Sequence, residues 1–188
     1  MEFDKATIEN SIIRWNRSLD ESVLPAWDEL PELELYMDQV ITLLGRYLKV
    51  LGDSKIITKS MINNYVKLKI MPAPEKKRYC RRHLAYLIII CMLKQTLNME
   101  TIKKVIPVDI SENEVKDIYN SFAENQRKAF AYVTENVKSV AGPILGTDSK
   151  KRITDFVIQV SVASNICKVL TESMIDNGGE AGESESKN

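Results

Sequence analysis

Ten consecutive residues, Leu84 to Leu93, constrain the fold of this chain more than any other feature, because all ten are leucine, isoleucine, methionine, alanine, tyrosine or cysteine. A helix that crosses a bilayer needs about 20 apolar residues, so the run is about half as long as required. No positively charged start followed by an apolar stretch marks a secretion signal. The run therefore predicts a helix buried inside a soluble protein, with no membrane as partner.

The cysteines and the single histidine bear on compartment and chemistry. Cys80, Cys91 and Cys167 show no C-x-x-C pairing, which is typical of reduced thiols and favours a cytoplasmic protein. Cys80 and His83 have the spacing of half a zinc site, but a structural site needs about four ligands, so we expect neither metal nor cofactor. With no G-x-S-x-G sequence and no phosphate-binding loop, we do not expect an enzyme.

Charge is distributed unevenly along the chain, although 26 basic residues balance 26 acidic ones overall. Residues 54–104 contain 12 lysines and arginines against only Glu75 and Glu100, a local net charge of +10. The flanks are acidic, with net charges of −6 over residues 1–53 and −4 over residues 105–188. Such asymmetry indicates a polyanionic partner such as nucleic acid, while the alternative is a basic face that is simply solvated.

Prolines, glycines and capping residues divide the chain into four regions. We expect an N-terminal helix and linker over 1–30, a winged helix-turn-helix over 31–107, a two-helix dimerisation or effector region over 108–176, and a disordered tail over 177–188. In the second region Thr58 can cap a helix, and Pro72 and Pro74 predict extended arms around a turn. The predicted elements there are Leu35 to Gly52, Thr58 to Leu68, Ile70 to Tyr79, Arg81 to Leu97 and Asn98 to Pro107.

The second half of the chain predicts two long helices. The sequence Ser111-Glu112-Asn113-Glu114 is a capping box, and the helix that it starts should break at Gly142-Pro143 and Gly146. The last helix, from about Ser149 to Met174, has two apolar stripes, so it is buried either against a partner subunit or within the monomer. The stripes are Ile153, Val157, Val160, Cys167 and Met174 on one side, and Ile158, Val162, Ile166 and Val169 on the other.

The order of helix, short turn, polar-faced helix, proline-containing ribbon and long helix predicts a winged helix-turn-helix, in which a helix enters the major groove and a wing follows the phosphates. Asparagine amides can pair an adenine edge, and lysines can reach guanine or phosphate. Arginines and lysines at the ribbon tip and the next helix start are typical phosphate contacts. The predicted DNA-binding residues are Lys59, Ser60, Asn63, Asn64, Lys67, Lys76, Lys77, Arg78, Arg81 and Arg82.

Residues 56–106 resemble the MerR family of regulators, in which a wing tyrosine precedes a helix of the pattern L-x-x-L-x-x-I, a turn and a short S-L-x-x-I helix. The resemblance is carried by Tyr79-Cys80-Arg81-Arg82-His83-Leu84, Leu87, Ile90, Leu93-Lys94, Leu97-Asn98-Met99-Glu100 and Ile102, and by the helix Met61-Ile62-Asn63-Asn64-Tyr65-Val66-Lys67.

Three positions depart from the MerR pattern. Asn63 replaces the usual recognition-helix arginine, Lys69 the helix-ending glycine and Thr96 a further glycine. Base preference and wing angle therefore do not transfer. Taken as a whole, with Leu35-Tyr36-Met37-Asp38-Gln39-Val40 included, the chain is more similar to a Gram-positive bacterial family known only as a domain of unknown function, of the DUF1836 type.

These observations favour a mainly α-helical, sequence-specific transcription regulator that binds duplex DNA as a homodimer, with a small-molecule effector as a further candidate partner. Two alternatives remain open. The basic face could meet an acidic protein, and the acidic flanks could be that partner within the same chain. The chain could also bind nucleic acid without regard to sequence.

Overall fold

Helices form nearly all the regular structure of the chain. The structure, a computed structural model, describes residues 10, 11, 13, 24–49, 57–145 and 150–184, and the side-chain surroundings of these except 137–145, 150–153 and 176–184. Within these ranges lie a 3-10 helix, Trp27–Glu29, and two isolated β-bridges. The prediction of a mainly α fold is confirmed. The helices are α1 (Met37–Tyr47), α2 (Lys59–Lys67), α3 (Arg81–Leu93), α4 (Met99–Val105), α5 (Glu112–Leu145) and α6 (Lys150–Ser184).

Helix α3 is the centre of the structure, as its apolar run predicts. Nine consecutive residues, His83 to Cys91, are buried. Burial raises the pKa of the Cys91 thiol to about 11. The helix ends at Leu93, earlier than the predicted Leu97, because the chain turns back there and the Leu97 N–H donates to the Leu93 carbonyl over 2.8 Å. In the described parts of the chain, no helix combines the length and hydropathy needed to cross a membrane.

The other elements of one compact unit, Arg14–Thr134, pack around α3. The linker before α1 contributes Leu24, Trp27 and Leu30 to this core, and the first half of α5 contributes Val115 and Tyr119. The predicted division at residue 107 thus falls inside a continuous core. Its remaining buried members come from α1, α2, α4, α5 and the segments beside them: Val40, Leu44, Leu48, Ile57, Ile62, Tyr65, Ile70, Met71, Tyr79, Ile102, Ile106 and Ala123.

Helix starts agree with the capping residues in the sequence. Thr58 caps α2 by accepting the Met61 N–H over 3.2 Å. Asn98 caps α4 by accepting the Thr101 N–H over 2.9 Å. Ser111 starts α5 with the reciprocal bonds of a capping box, since its N–H donates to the Glu114 carboxylate over 2.7 Å. Helix α1 ends at Tyr47, and the predicted end at Gly52 lies outside the described residues.

The second compact unit comprises Met1–Ile13 and Glu135–Asn188. Helix α5 continues to Leu145, the residue before Gly146, so the predicted break at Gly142-Pro143 is wrong and the predicted break at Gly146 agrees with the end of the helix. A proline so near a helix end removes one hydrogen bond from the last turns and need not stop the helix. Helix α6 extends to Ser184 and so includes residues where the sequence predicted a disordered tail. Glutamate and alanine there are good helix formers.

Helix α6 exposes the apolar stripes that the sequence placed on it. Ile158, Val162 and Ile166 are 55%, 52% and 61% exposed, and Val169 is exposed as well. Phe156 is the buried residue among the side chains described in this helix. The interpretation in which the second stripe is buried within the monomer is therefore wrong.

The linker is held on α5 by polar contacts as well as by apolar ones. The Tyr119 hydroxyl donates to the Pro25 carbonyl over 2.9 Å, and its ring meets Trp27 edge-on, with ring centroids 6.2 Å apart. The Trp27 N–H donates to Asn120 Oδ1 over 3.0 Å. Burial raises the pKa of Tyr119 well above its ordinary value. The folded state therefore keeps this proton at a pH where the unfolded chain loses it.

Changing Tyr119 to phenylalanine should lower the free energy of unfolding by about 1 kcal/mol, because the Pro25 carbonyl loses its donor. Above the ordinary tyrosine pKa of 10 the wild type should lose stability with rising pH more steeply than the variant, since only the wild type must release the buried proton. Urea unfolding at pH 7.5 and at pH 10.5 measures both effects. The exposed Tyr132→Phe serves as control, and an equal change in that variant would contradict the assignment.

Candidate nucleic-acid interface

The exposed face of α2 carries five of the predicted DNA-binding residues. Ile62 and Tyr65 bury the opposite face against the core, which fixes the rotation of the helix about its axis. With that face buried, the helical periodicity turns the polar positions to solvent. Burial also raises the pKa of Tyr65 to about 12. The five exposed residues on the opposite face are Lys59, Ser60, Asn63, Asn64 and Lys67.

Helix α2 ends in a Schellman motif centred on Lys69. The Ile70 N–H donates to the Tyr65 carbonyl over 2.9 Å, and the Lys69 N–H to the Val66 carbonyl over 3.0 Å. Lys69 has a φ of 53°, the left-handed conformation that favours glycine. This exposed lysine was not among the predicted contacts. The sequence did mark this position, because lysine stands there in place of the glycine that ends the recognition helix in the MerR pattern.

A tight turn follows, with Lys76 and Lys77 at its tip. The Arg78 N–H donates to the Glu75 carbonyl over 2.8 Å, and the φ values of Lys76 and Lys77 are 47° and 64°. Positive φ at both central residues defines a type I′ turn, the turn that suits a two-stranded ribbon. All three basic residues of this turn, Arg78 included, are exposed as predicted.

The ribbon itself is smaller than the sequence predicted. Its arms make isolated bridges, Glu75 with Arg78 and Leu35 with Tyr79, and the described residues contain no strand ladder. Pro72 and Pro74 have no N–H to donate, which prevents a ladder on that arm. The returning arm pairs instead with the segment before α1. There Leu35 and Tyr79 exchange two N–H to carbonyl bonds of 2.9 Å each.

Positive φ in non-glycine residues is confined to lysines in the described part of the chain. The three residues are Lys69, Lys76 and Lys77, and all are exposed. A left-handed conformation costs an ordinary residue about 1–2 kcal/mol relative to the right-handed one. Side chains that gain nothing from packing nevertheless occupy these strained positions, and such positions cluster where a side chain has a function.

Arg81 and Arg82 do not lie with the other predicted contacts. The Arg81 side chain is only 16% exposed, and its Nε and Nη2 both donate to the Leu30 carbonyl, over 3.1 and 2.9 Å. Arg82 Nη2 donates to the carbonyls of Val108 and Ile110, each over 2.8 Å. Both were predicted as phosphate contacts. Because their guanidinium groups are committed to loops on either side of α3, we leave them out of the interface.

Cys80 and His83 form a cap at the start of α3. The Cys80 N–H donates to His83 Nδ1 over 3.1 Å, so Nδ1 is unprotonated. Nε2 therefore carries the proton and donates to the Ala73 carbonyl over 3.3 Å. Both ring nitrogens are thus engaged in joining the ribbon to the start of α3. No group of three candidate metal ligands occurs in the described parts of the chain.

Acidic residues from the segment 34–38 contact the predicted DNA-binding residues. Asp38 Oδ1 lies 2.6 Å from Lys59 Nζ, and Glu34 Oε2 lies 3.8 Å from Arg78 Nε. The Arg78 guanidinium also stands over the Tyr36 ring, 5.2 Å from its centroid. Five residues span at most about 18 Å. The start of α2 and the turn are therefore neighbours, joined through this one segment.

An open groove lies beside Asp38, the residue that pairs with Lys59. It has a volume of about 360 Å³ and lies between the linker and α1. Most of its exposed lining surface is apolar, and its polar lining residues are Asp38, Gln39, Thr42 and Arg46. The sequence placed an effector in the C-terminal helices, and this groove lies elsewhere.

The chain belongs to a family described as a domain of unknown function, DUF1836, whose pattern matches residues 25–122. The resemblance to that family is confirmed. The matched residues contain the buried core except for its end members Leu24 and Ala123, and they include the whole candidate interface. Comparisons with curated proteins and with solved structures give no match. The family description supplies no activity, so function rests on the residues themselves.

Changing Lys77 to glycine should raise the free energy of unfolding by up to about 1 kcal/mol, because glycine adopts positive φ without strain. Lys103→Gly is the matched control, since Lys103 is an exposed lysine inside α4. That change should lower stability by about 1 kcal/mol. Urea denaturation measures both. If the free energy of unfolding changed in the same direction in both glycine variants, the backbone strain at Lys77 would be too small to mark a functional position.

Proposed function

We propose that this protein binds duplex DNA through the exposed face of α2 and the turn at residues 75–78, and that it regulates transcription. The observation that carries the proposal is the exposure of two asparagines and six cations on α2 and the turn that follows it, two elements that the segment 34–38 links through ion pairs with Lys59 and Arg78. The cations are Lys59, Lys67, Lys69, Lys76, Lys77 and Arg78.

The two parts of the surface have different tasks in this proposal. Helix α2 enters the major groove, where the Asn63 and Asn64 amides pair with base edges. The turn places Lys76, Lys77 and Arg78 on phosphates, where they supply affinity and orientation without selecting a sequence. The element order resembles the MerR arrangement of a winged helix-turn-helix. In this chain the wing is reduced to one tight turn, which limits its reach to the nearest phosphates.

The strained lysines support this assignment independently of the charge count. Glycine at positions 69 and 77 would relieve backbone strain. Lysine at these positions lowers the stability of the fold, and it provides in return only a positive charge that points to solvent. A polyanion that approaches the surface makes use of that cation, whereas a face that is merely solvated does not.

We also propose that two copies associate through α6. From Phe156 to Cys167 this helix has no charged residue, and most of its large apolar side chains are exposed. A monomer rarely exposes so continuous an apolar surface to water. Two copies related by a two-fold axis would present two α2 helices to the half-sites of a near-palindromic operator.

DNA binding is tested by titrating the protein into a labelled duplex from upstream of its own gene and into a scrambled duplex, at several salt concentrations. The native duplex should bind more tightly, and Asn63→Ala with Asn64→Ala should abolish that preference. Lys76→Ala with Lys77→Ala should weaken both duplexes alike. This pair should also reduce the log–log salt slope by about 0.9 for each phosphate that the variant no longer neutralises.

Arg127→Ala with Lys128→Ala is the charge-matched control, because both side chains are exposed on α5. It should leave the salt slope and the sequence preference unchanged. Equal affinity of the wild type for both duplexes would favour a binder that ignores sequence. No binding to either duplex at low salt would sink the DNA proposal and point to an acidic protein as partner of the surface.

Self-association is tested by sedimentation equilibrium. Val162→Glu with Ile166→Glu places two carboxylates on the exposed stripe of α6 and should convert a dimer into a monomer. Ser161→Glu with Asn165→Glu adds the same charge on the side of the helix that carries Lys168 and Glu172, and should leave the dimer intact. A wild type that remains monomeric at about 100 µM would contradict the proposal.

A further inference from the structure

The two ends of the proposed DNA surface are each neutralised by a carboxylate from one short segment. Asp38, in the first turn of α1, pairs with Lys59, the first residue of α2. Glu34 pairs with Arg78, which closes the turn. Both carboxylates are held in place by backbone pairing, since Leu35 between them forms the bridge with Tyr79.

Both pairs lie at the surface, where a phosphate can compete with them. The side chains of Lys59 and Asp38 are 60% and 76% exposed, and those of Arg78 and Glu34 are 46% and 51% exposed. Exposed ion pairs of this kind contribute little to stability. Their carboxylates nevertheless occupy the cations and add negative charge where the DNA backbone would approach.

We propose that Glu34 and Asp38 act as an intramolecular substitute for DNA phosphate, so that DNA must displace them before Lys59 and Arg78 can bind it. The inference rests on the proposed function and identifies what regulates that surface. Its consequence is selective. Contacts to phosphate alone are weakened at both ends of the surface, while the base contacts of Asn63 and Asn64 are left untouched.

The neighbouring acidic residues differ from these two in their task. Asp28 and Glu32 face Arg81, whose guanidinium is already committed to the Leu30 carbonyl, and Asp28 also pairs with Lys116 over 3.0 Å. These contacts close the linker over α3. Removal of Glu34 and Asp38 should therefore leave the core intact, whereas removal of Asp28 would disturb it.

The test compares wild type with Glu34→Gln plus Asp38→Asn for binding to the native and scrambled duplexes by fluorescence anisotropy. The double variant should bind both duplexes about three- to tenfold more tightly at low salt. The gain should shrink as salt rises, because exposed charges are screened. Glu112→Gln plus Asp117→Asn removes two exposed carboxylates of α5 and should change the affinity by less than about twofold.

A second pair of proteins ties the gain to the two cations. With Lys59→Met and Arg78→Met in place, Glu34→Gln plus Asp38→Asn should no longer tighten binding. The proposal is overturned if the gain persists in that background, or if the α5 control gains as much. Circular dichroism melting of every variant confirms that the fold is kept.

A heparin column separates failure of this inference from failure of the proposed function. Elution of the double variant at higher salt than wild type, together with no binding to either duplex, would uphold the shielding and reject DNA as the partner. Equal elution of the two proteins would overturn the shielding by Glu34 and Asp38, whether or not the protein binds either duplex.

Discussion

Complete burial of α3 is the constraint on which the rest of the structure depends. A helix with nine consecutive buried residues needs neighbours on every side, and in a chain of this length nearly every other element must supply one. Loops have to cross both sides of its N-terminal end, where their carbonyls would lose water. Arg81 and Arg82 resolve that problem. Their guanidinium groups donate to the Leu30 carbonyl on one side and to the Val108 and Ile110 carbonyls on the other. The linker, the α4–α5 connection and α3 are thereby joined at one point.

That arrangement also determines what the basic segment can offer to a partner. Arg81 and Arg82, at the start of α3, bind carbonyl groups within the fold. The cations on α2 and on the turn project outward, because Ile62, Tyr65 and Tyr79 bury the other side of these elements. His83 joins the two parts, since it caps α3 and donates to Ala73 at the foot of the turn. The surface is therefore rigid for a physical reason, and rigidity is what a base-contacting helix requires.

Features set by neighbouring residues could be predicted from the sequence. Thr58, Asn98 and Ser111 start helices because a side-chain oxygen and an N–H three residues later suffice for a cap, and the exposed face of α2 follows from helical periodicity. Whether an arginine faces solvent could not be predicted, because it depends on which distant carbonyls the fold brings near. The roles of Arg81 and Arg82 were missed for this reason. The sequence did hold a signal for the positive φ of Lys69, because this residue stands where the MerR pattern ends a helix with glycine.

The acidic residues between positions 28 and 38 have two different roles. The role of each one depends on how deeply the cation that it contacts is buried. Asp28 and Glu32 lie 4.0 and 3.5 Å from Arg81, whose side chain is 16% exposed and is bound to the Leu30 carbonyl, so this cation is held within the fold. Glu34 and Asp38 lie against Arg78 and Lys59, which are 46% and 60% exposed, so water and salt compete for these pairs. Only the second kind can exchange a carboxylate for a phosphate without loss of the fold. In the proposal, the carboxylates beside Arg81 therefore hold the linker on the core, and the carboxylates beside Arg78 and Lys59 are the ones that phosphate displaces.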